Sequence, residues 1–202
     1  TVGDGFDFED SAVGPGPVPG QSYVYVGDIG DNGTPDRPFI TIHRFVEPQD
    51  PAGDGLFAGL DTRFDLVYPD GPHDAETLMV DPVDAAVYLV AEVLGEPRLY
   101  RAPTPLESGE TLEDLGLVNA PFLPTAGDIS PGGDFIVMRG ASEGGLWPRA
   151  PGQTITDALK QAPCEIPIQP EEDGQAIAVM PDGLSYMTTS EGHQSPMWHY
   201  EL

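Results

Sequence analysis

The chain has 202 residues, of which 34 are acidic and 8 are basic, and its formal net charge at pH 7 is −26. This charge excludes sequence-independent nucleic-acid binding, which needs basic side chains to neutralise phosphates, and it disfavours docking on anionic membranes. Hydrophobic residues make up 39% of the chain, which is enough for a core, and no run of about 18 apolar residues predicts a membrane span.

Four segments repeat one pattern along the chain. Each has an acidic or amide residue, a short apolar strand, a turn of Pro, Gly or Asp, and a second β-rich strand. The segments are residues 8–28, 75–92, 127–139 and 174–191. Each leads into a third β-rich stretch, and the first three continue into a fourth. Residues 153–161 predict a short helix or turn.

The length and order of these units predict the fold. They start near residues 9, 76, 128 and 175, a spacing comparable to the blades of a β-propeller. We predict one all-β propeller domain over residues 1–202. An all-β sandwich is the alternative that short strands and Pro/Gly turns leave open. The four blades, each four-stranded except the incomplete last one, would span about 1–70, 71–123, 124–169 and 170–202, with a Pro- and Gly-rich insertion at 48–61.

Five motifs occur in order along nearly the whole chain: DFEDSAVGPGP (7–17), YVGDIGDN (25–32), YPDGPHDAETLMVDP (68–82), TAGDISPGGDFIVMR (125–139) and TTSEG (188–192). They resemble a family of secreted bacterial β-propeller proteins that has no firm activity and is loosely grouped with phytase-like and esterase-like propellers. The resemblance implies an exported protein, secreted or periplasmic. It also implies a five-bladed ring with one blade ahead of Thr1. Gln175 stands where the family pattern has Glu, which removes a charge from the last blade.

The propeller geometry predicts an acidic channel mouth. The first strand of each blade lines the channel and the second runs antiparallel to it, so the start of the first and the end of the second share one face. Carboxylates held together need compensation, and Ca²⁺ takes about 6–8 oxygen ligands. We therefore predict a site for Ca²⁺, or Mg²⁺, at this mouth. The predicted ligands are Glu9, Asp28, Asp31, Glu76, Asp128 and Glu191.

Two further residues are predicted to bind substrate. Arg139 carries a planar guanidinium that pairs with a phosphate or carboxylate through two hydrogen bonds. His73 lies close to Glu76 in the sequence and suits acid or base work. No catalytic residue is assigned. The alternative for the carboxylates is structural, because a carboxylate at a strand start accepts backbone N–H groups and fixes the neighbouring blade.

Three functions remain open from the sequence. The first is a binding or scaffold propeller that holds a divalent cation and takes a small molecule or a protein as its ligand. The second is a Ca²⁺-dependent hydrolase of phosphoesters or esters, which a mouth with one Arg disfavours. The third is a structural interaction module whose acidity reflects a halophilic or marine habitat.

Two predictions concern packing. Aromatic residues recur on the third strands and are expected to pack between blades: Tyr100, Trp147, Trp198 and Tyr200. Cys164 is the only cysteine, so no intrachain disulfide can form. We expect it to be a buried, inert thiol.

Overall fold

The computed structural model describes residues 5–32, 36–48, 62–171 and 173–202. Apart from one short helix, the regular elements in these residues are β-strands. In chain order they are β1 (Phe8–Pro15), β2 (Ser22–Asp28), β3 (Ile40–Val46), β4 (Thr62–Leu66), β5 (Asp74–Val80), β6 (Val87–Val93), β7 (Glu96–Arg101), β8 (Glu113–Leu117), β9 (Ala126–Ile129), β10 (Phe135–Arg139), β11 (Gly144–Pro148), α1 (Ile155–Leu159), β12 (Cys164–Glu165), β13 (Gly174–Val179), β14 (Ser185–Ser190) and β15 (Met197–Glu201).

The strands form four antiparallel sheets, each built from consecutive strands. The first three sheets have four strands, in the orders β1-β2-β3-β4, β5-β6-β7-β8 and β9-β10-β11-β12, and the last has three, β13-β14-β15. The inner strands β1, β5, β9 and β13 pack against one another in chain order. This confirms the predicted β-propeller with four recognisable blades rather than a sandwich of two facing sheets. A fifth blade ahead of Thr1 stays a prediction.

Tight turns join the strands inside each sheet because their sequences allow a left-handed backbone. Gly133, in the β9–β10 turn, has a φ of 70°, and Gly183, in the β13–β14 turn, has a φ of 67°. A residue with a side chain is strained in this conformation, whereas glycine is not. These are the Pro/Gly/Asp turns on which the prediction of the blades depended. Most of the insertion predicted at 48–61 lies outside the described residues.

The apolar core is divided into three clusters, one between each pair of consecutive sheets. The first contains Ile42 and Leu89, the second Met79 and Trp147, and the third Val137, among other residues. Burying one such side chain contributes roughly 1.5–3 kcal/mol. Each blade therefore depends on its neighbours for a large part of its stability.

The predicted helix forms as α1. Thr154 caps it by accepting a hydrogen bond from the backbone N–H of Asp157 at 3.0 Å. Ile155 and Leu159 then pack into the second cluster. Within the described residues, no helix has both the length and the apolar character of a membrane span.

The packing predictions are confirmed for three aromatic residues. Tyr100 and Trp147 are fully buried in the first and second clusters, and Tyr200 packs against the third. The prediction is wrong for Trp198, which is 38% exposed. Cys164 is also exposed rather than buried, because the short strand β12 lies at the outer edge of its sheet.

Candidate functional site

Three of the four inner strands have a β-bulge at the same point, near their first residues. The pairing with the second strand shifts around Glu9 and Asp10 in β1, at Glu76 in β5 and at Gln175 in β13, whereas β9 pairs regularly. A bulge inserts one extra residue into a strand and re-aims its side chain. The bulges therefore mark the positions where these three blades contribute a polar side chain to this end of the channel.

Asp10 connects three blades. Its Oδ2 atom accepts hydrogen bonds from the backbone N–H of Leu78, in β5, at 2.9 Å and of Gly127, in β9, at 3.3 Å. Burial raises the pKa of Asp10 to about 8, although these hydrogen bonds act in the opposite direction. The carboxyl group of Asp10 thus connects the inner strands β1, β5 and β9.

Asp128 repeats this arrangement one blade further on. Its Oδ2 atom accepts from the backbone N–H of Val179, in β13, and its Oδ1 atom accepts from the N–H of Ile129, both at 2.8 Å. Burial raises its pKa to about 6, against the effect of both hydrogen bonds. Because both oxygens are occupied, these contacts favour the structural alternative for Asp128 over its predicted role as a metal ligand.

At the same end of the channel, Glu9 and Glu76 form a pair of interacting carboxyl groups. Burial, followed by the negative charge of Glu76, a hydrogen bond with it and the charge of Asp7, raises the pKa of Glu9 to about 9. Burial also raises the pKa of Glu76, while the hydrogen bond with Glu9 lowers it. The pair therefore retains a proton at pH 7.

The Glu76 side chain also borders a small cavity of about 190 Å³ between the second and third blades, which Glu92 and Gln175 line as well. Glu76 Oε2 and Gln175 Oε1 are both buried, and no described residue donates a hydrogen bond to either atom. Buried polar atoms are normally hydrogen-bonded. Two residues that line this cavity thus each carry a buried acceptor without a donor among the described residues.

The motif GDIGDN supports this end of the channel through its backbone. A side chain at Gly30 would overlap the carboxyl groups of Glu9 and Asp7. Glycine therefore leaves room here for the close approach of these carboxyl groups to the backbone. The sequence indicated an acidic turn in this motif but not that its glycine makes room for Glu9.

Asp28 and Asp31 are buried and engaged in the same loop. Asp28 accepts from the backbone N–H groups of Phe6 and Asp7, at 3.1 and 2.8 Å, and forms a salt bridge of 2.9 Å with Arg37. Asp31 accepts from the backbone N–H of Arg37 at 2.8 Å. Both carboxylates are predicted metal ligands; the contacts that they make in this structure hold the loop in place, and the metal role stays a prediction.

Arg139, predicted to bind substrate, is fully buried. Its guanidinium pairs with Glu171 and donates to the carbonyl oxygens of Gly140 and Ala141, at 3.0 and 3.1 Å. A side chain at Gly174, the first residue of β13, would overlap the guanidinium. Arg139 therefore links the third and fourth blades. In this conformation its guanidinium is not accessible to an anion from the solvent.

His73 and Glu191 lie in other surroundings. His73 Nε2 is 2.9 Å from Asp70 Oδ1, and the ring contacts Tyr68 and Tyr100 at centroid distances of 5.0 and 5.7 Å. Glu191 is exposed and lines a separate cavity, although its charge contributes to the raised pKa of Glu76. A substrate-binding role for His73 stays a prediction.

The predicted ligands are thus distributed over several environments. Among the described residues, no group of three or more Asp, Glu, His or Cys side chains is arranged to hold one metal ion. What the fold brings together is Glu9, Glu76 and the amide Gln175. The repeat places Gln175 at a strand start like Glu9 and Glu76, on the same face, but Gln175 was interpreted only as a lost charge and was not among the predicted ligands.

Comparisons with known proteins agree with the fold. No family model and no curated protein matches the sequence. Among solved structures, a chain of a nidogen/laminin complex is similar with a TM-score of 0.51 and 13% identity, covering 83% of this chain and 56% of that chain. The present chain thus spans little more than half of that chain's length, and the likeness concerns the fold alone.

Two further similarities are weaker. The structure of the Dos1 propeller has a TM-score of 0.45 and 11% identity, covering 91% of this chain and 42% of that one. The periplasmic gluconolactonase of Pseudomonas aeruginosa has a TM-score of 0.45 and 13% identity, covering 95% of this chain and 57% of that one. The class that the architecture defines is the β-propeller.

Proposed function

We propose that this protein is a ligand-binding or scaffold propeller that binds a divalent cation, Ca²⁺ or Mg²⁺, at the acidic end of its channel. The observation that carries the proposal is a pair of buried oxygens, Glu76 Oε2 and Gln175 Oε1, which belong to residues that line one cavity and have no hydrogen-bond donor in the described part of the chain. The raised pKa of Glu9 supports it, because the carboxyls resist ionisation when no cation accompanies them.

The donor chemistry favours a hard cation. Carboxylate and amide oxygens are the ligands that Ca²⁺ and Mg²⁺ prefer, and both ions complete their coordination with water. The net charge of −26 raises the local concentration of cations around the whole molecule. When a divalent ion enters, it replaces the proton that Glu9 and Glu76 retain.

An exported protein would meet such ions at high concentration. Extracellular calcium modules work with dissociation constants of about 10⁻⁴–10⁻³ M, which suits a site with two carboxylates and one amide. We therefore include secretion or a periplasmic location in the proposal. The hydrolase alternative is not included, because the arginine that it needs for substrate charge is enclosed between two blades.

The test is calorimetric titration of Ca²⁺ and of Mg²⁺ at pH 7 and high, fixed ionic strength, in two buffers with different ionisation enthalpies. We expect saturable binding with release of about one proton per ion. Glu76→Gln should weaken binding at least about tenfold, because contacts made by a charged group contribute more than those made by a neutral one.

The matched control is Glu113→Gln, which removes an exposed carboxyl group from the outer strand β8. It should leave the affinity unchanged. An equal loss in both variants, or no saturable binding at this fixed ionic strength, would mean that the acidity is an adaptation to salt. The proposal of a specific cation site would then be abandoned.

A further inference from the structure

A second and larger cavity lies beside the fourth blade, and its chemistry differs from that of the channel mouth. It has a volume of about 730 Å³, within the range of small-molecule sites, which is roughly 300–1,000 Å³. Its walls include three carboxyl groups, two prolines and one tryptophan: Glu171, Asp173, Glu191, Pro170, Pro196 and Trp198.

The charges of this cavity are not balanced. Arg139 compensates Glu171, but Asp173 and Glu191 have no basic partner among the described residues, and neither Lys nor Arg lines the cavity. Three carboxylates against one guanidinium leave two negative charges. A ligand that complements the cavity is therefore a dication.

A buried oxygen points to the same conclusion independently. The Glu171 side chain is only 3% exposed. One of its oxygens is taken by Arg139, while the other, Oε1, is buried and receives no hydrogen bond from any described residue. A buried acceptor without a donor costs about 1–3 kcal/mol, and a donor group on a bound ligand would satisfy it.

The shape of the site favours an organic dication over a metal ion. The three carboxyl groups are not close enough to ligate one ion, since the described residues contain no metal-binding group of three. A ligand whose two charges are separated by methylene groups can reach different carboxylates. Trp198, which is 38% exposed, and the two prolines supply apolar surface for the methylenes, and an aromatic face also attracts an ammonium group.

We propose that the cavity lined by Glu171, Asp173, Glu191 and Trp198 binds an aliphatic diamine. One ammonium group meets Glu171 Oε1 and the other lies against the carboxylates of Asp173 and Glu191, with the stem along Trp198. This cavity is distinct from the one at the channel mouth, although the two are neighbours, since Gln175 Nε2 donates a hydrogen bond to Asp173 Oδ1 at 3.3 Å.

The protein carries its own reporter for this proposal. Of its two tryptophans, Trp147 is fully buried and Trp198 is at the cavity. Putrescine, titrated at physiological ionic strength, should change the tryptophan fluorescence with saturation. The change should be absent with 1,4-butanediol, which has the same stem without charges, and in Trp198→Leu.

Calorimetry on variants then tests the charges. Glu191→Gln and Asp173→Asn should each weaken putrescine binding by about tenfold, and both residues are exposed, so the fold is not at risk. Glu96→Gln, which removes an exposed carboxyl outside this cavity, should change the affinity less than twofold.

Three results would overturn the proposal: no saturable binding, an equal loss in Glu96→Gln and Glu191→Gln, or a Trp198 response to Mg²⁺ as large as that to putrescine. The last result would show that any dication suffices. Glu76 does not line this cavity, so putrescine binding by the Glu76→Gln variant tests this proposal whether or not that variant still binds Ca²⁺.

Discussion

Glu9 and Asp10 are neighbours in one strand, yet their carboxyl groups have opposite environments. Asp10 accepts backbone N–H groups from two other blades, whereas Glu9 meets the carboxyl groups of Glu76 and Asp7. The first carboxyl is satisfied by the protein and stabilises the propeller. The second faces other acceptors, which together with burial raise its pKa. The comparison shows that a carboxylate's partners, and not its presence at a strand start, decide between structure and binding.

The largest effect on the free energy of unfolding is expected at Arg139, one of the groups whose charge and hydrogen bonds are matched within the protein. Replacing it by Leu leaves Glu171 buried without its partner, and breaking a buried ion pair costs about 3–5 kcal/mol. Urea unfolding of Arg139→Leu should show this loss in the free energy of unfolding. The double variant with Glu171→Leu should recover part of it, and a single variant as stable as the wild type would contradict the linking role of Arg139.

The next largest effect on the free energy of unfolding is expected for Asp10, which connects three inner strands. Asp10→Ala leaves two buried N–H groups, of Leu78 and Gly127, without an acceptor, and should cost about 3 kcal/mol. Asp10→Asn keeps an acceptor oxygen and should cost about 1 kcal/mol. Equal losses for both variants, measured by denaturant unfolding, would mean that Asp10 acts through its charge rather than as a hydrogen-bond acceptor.

The carboxyls at the channel mouth should make stability depend on pH. The pKa of Glu9 is raised from 4.5 to about 9 and that of Asp10 from 3.8 to about 8. The folded state therefore holds more protons than the unfolded state between about pH 4.5 and 9, and the free energy of unfolding should fall as the pH rises through this window. Thermal unfolding across it measures the slope.

Glu9→Gln should flatten the dependence of the free energy of unfolding on pH above pH 6, since it removes the group with the higher of these two pKa values. Added Ca²⁺ should flatten it as well if the cation replaces the proton. A slope that Glu9→Gln leaves unchanged would assign the pH dependence to Asp10 and would remove the distinction between the two neighbours.

The smallest effect is expected far from the channel, on the outer strands. Arg98 and Asp114 form a partly exposed pair, with 2.5 Å between Nη2 and Oδ2, and the hydrogen bond with Arg98 lowers the pKa of Asp114. Such pairs contribute about 0–1 kcal/mol. Asp114→Asn should therefore change stability little at pH 7, and the small contribution should vanish as the pH falls below the pKa of the folded state. A loss as large as that of Asp10→Ala would contradict the contrast between channel and surface.

Several features of the site could be predicted and others could not. The strand-start positions of Glu9 and Glu76 followed from the repeat, and their proximity followed from the propeller. The bulges that re-aim them could not be predicted, because a one-residue shift in pairing leaves no trace in composition or spacing. Trp198 shows the same difficulty: its place on a third strand predicted packing, but its strand lies at the exposed edge of a three-stranded sheet.

The sequence by itself determined the four repeated units, the order of their strands, a short helix or turn over 153–161 and the acidity of the molecule. These depend on turn chemistry and on alternation over a few residues, which a chain encodes locally. The tertiary structure alone decided which carboxyl groups are compensated. The partners of Asp10 are 68 and 117 residues away along the chain, and burial, hydrogen bonding and charge at such a position are fixed only when the blades come together.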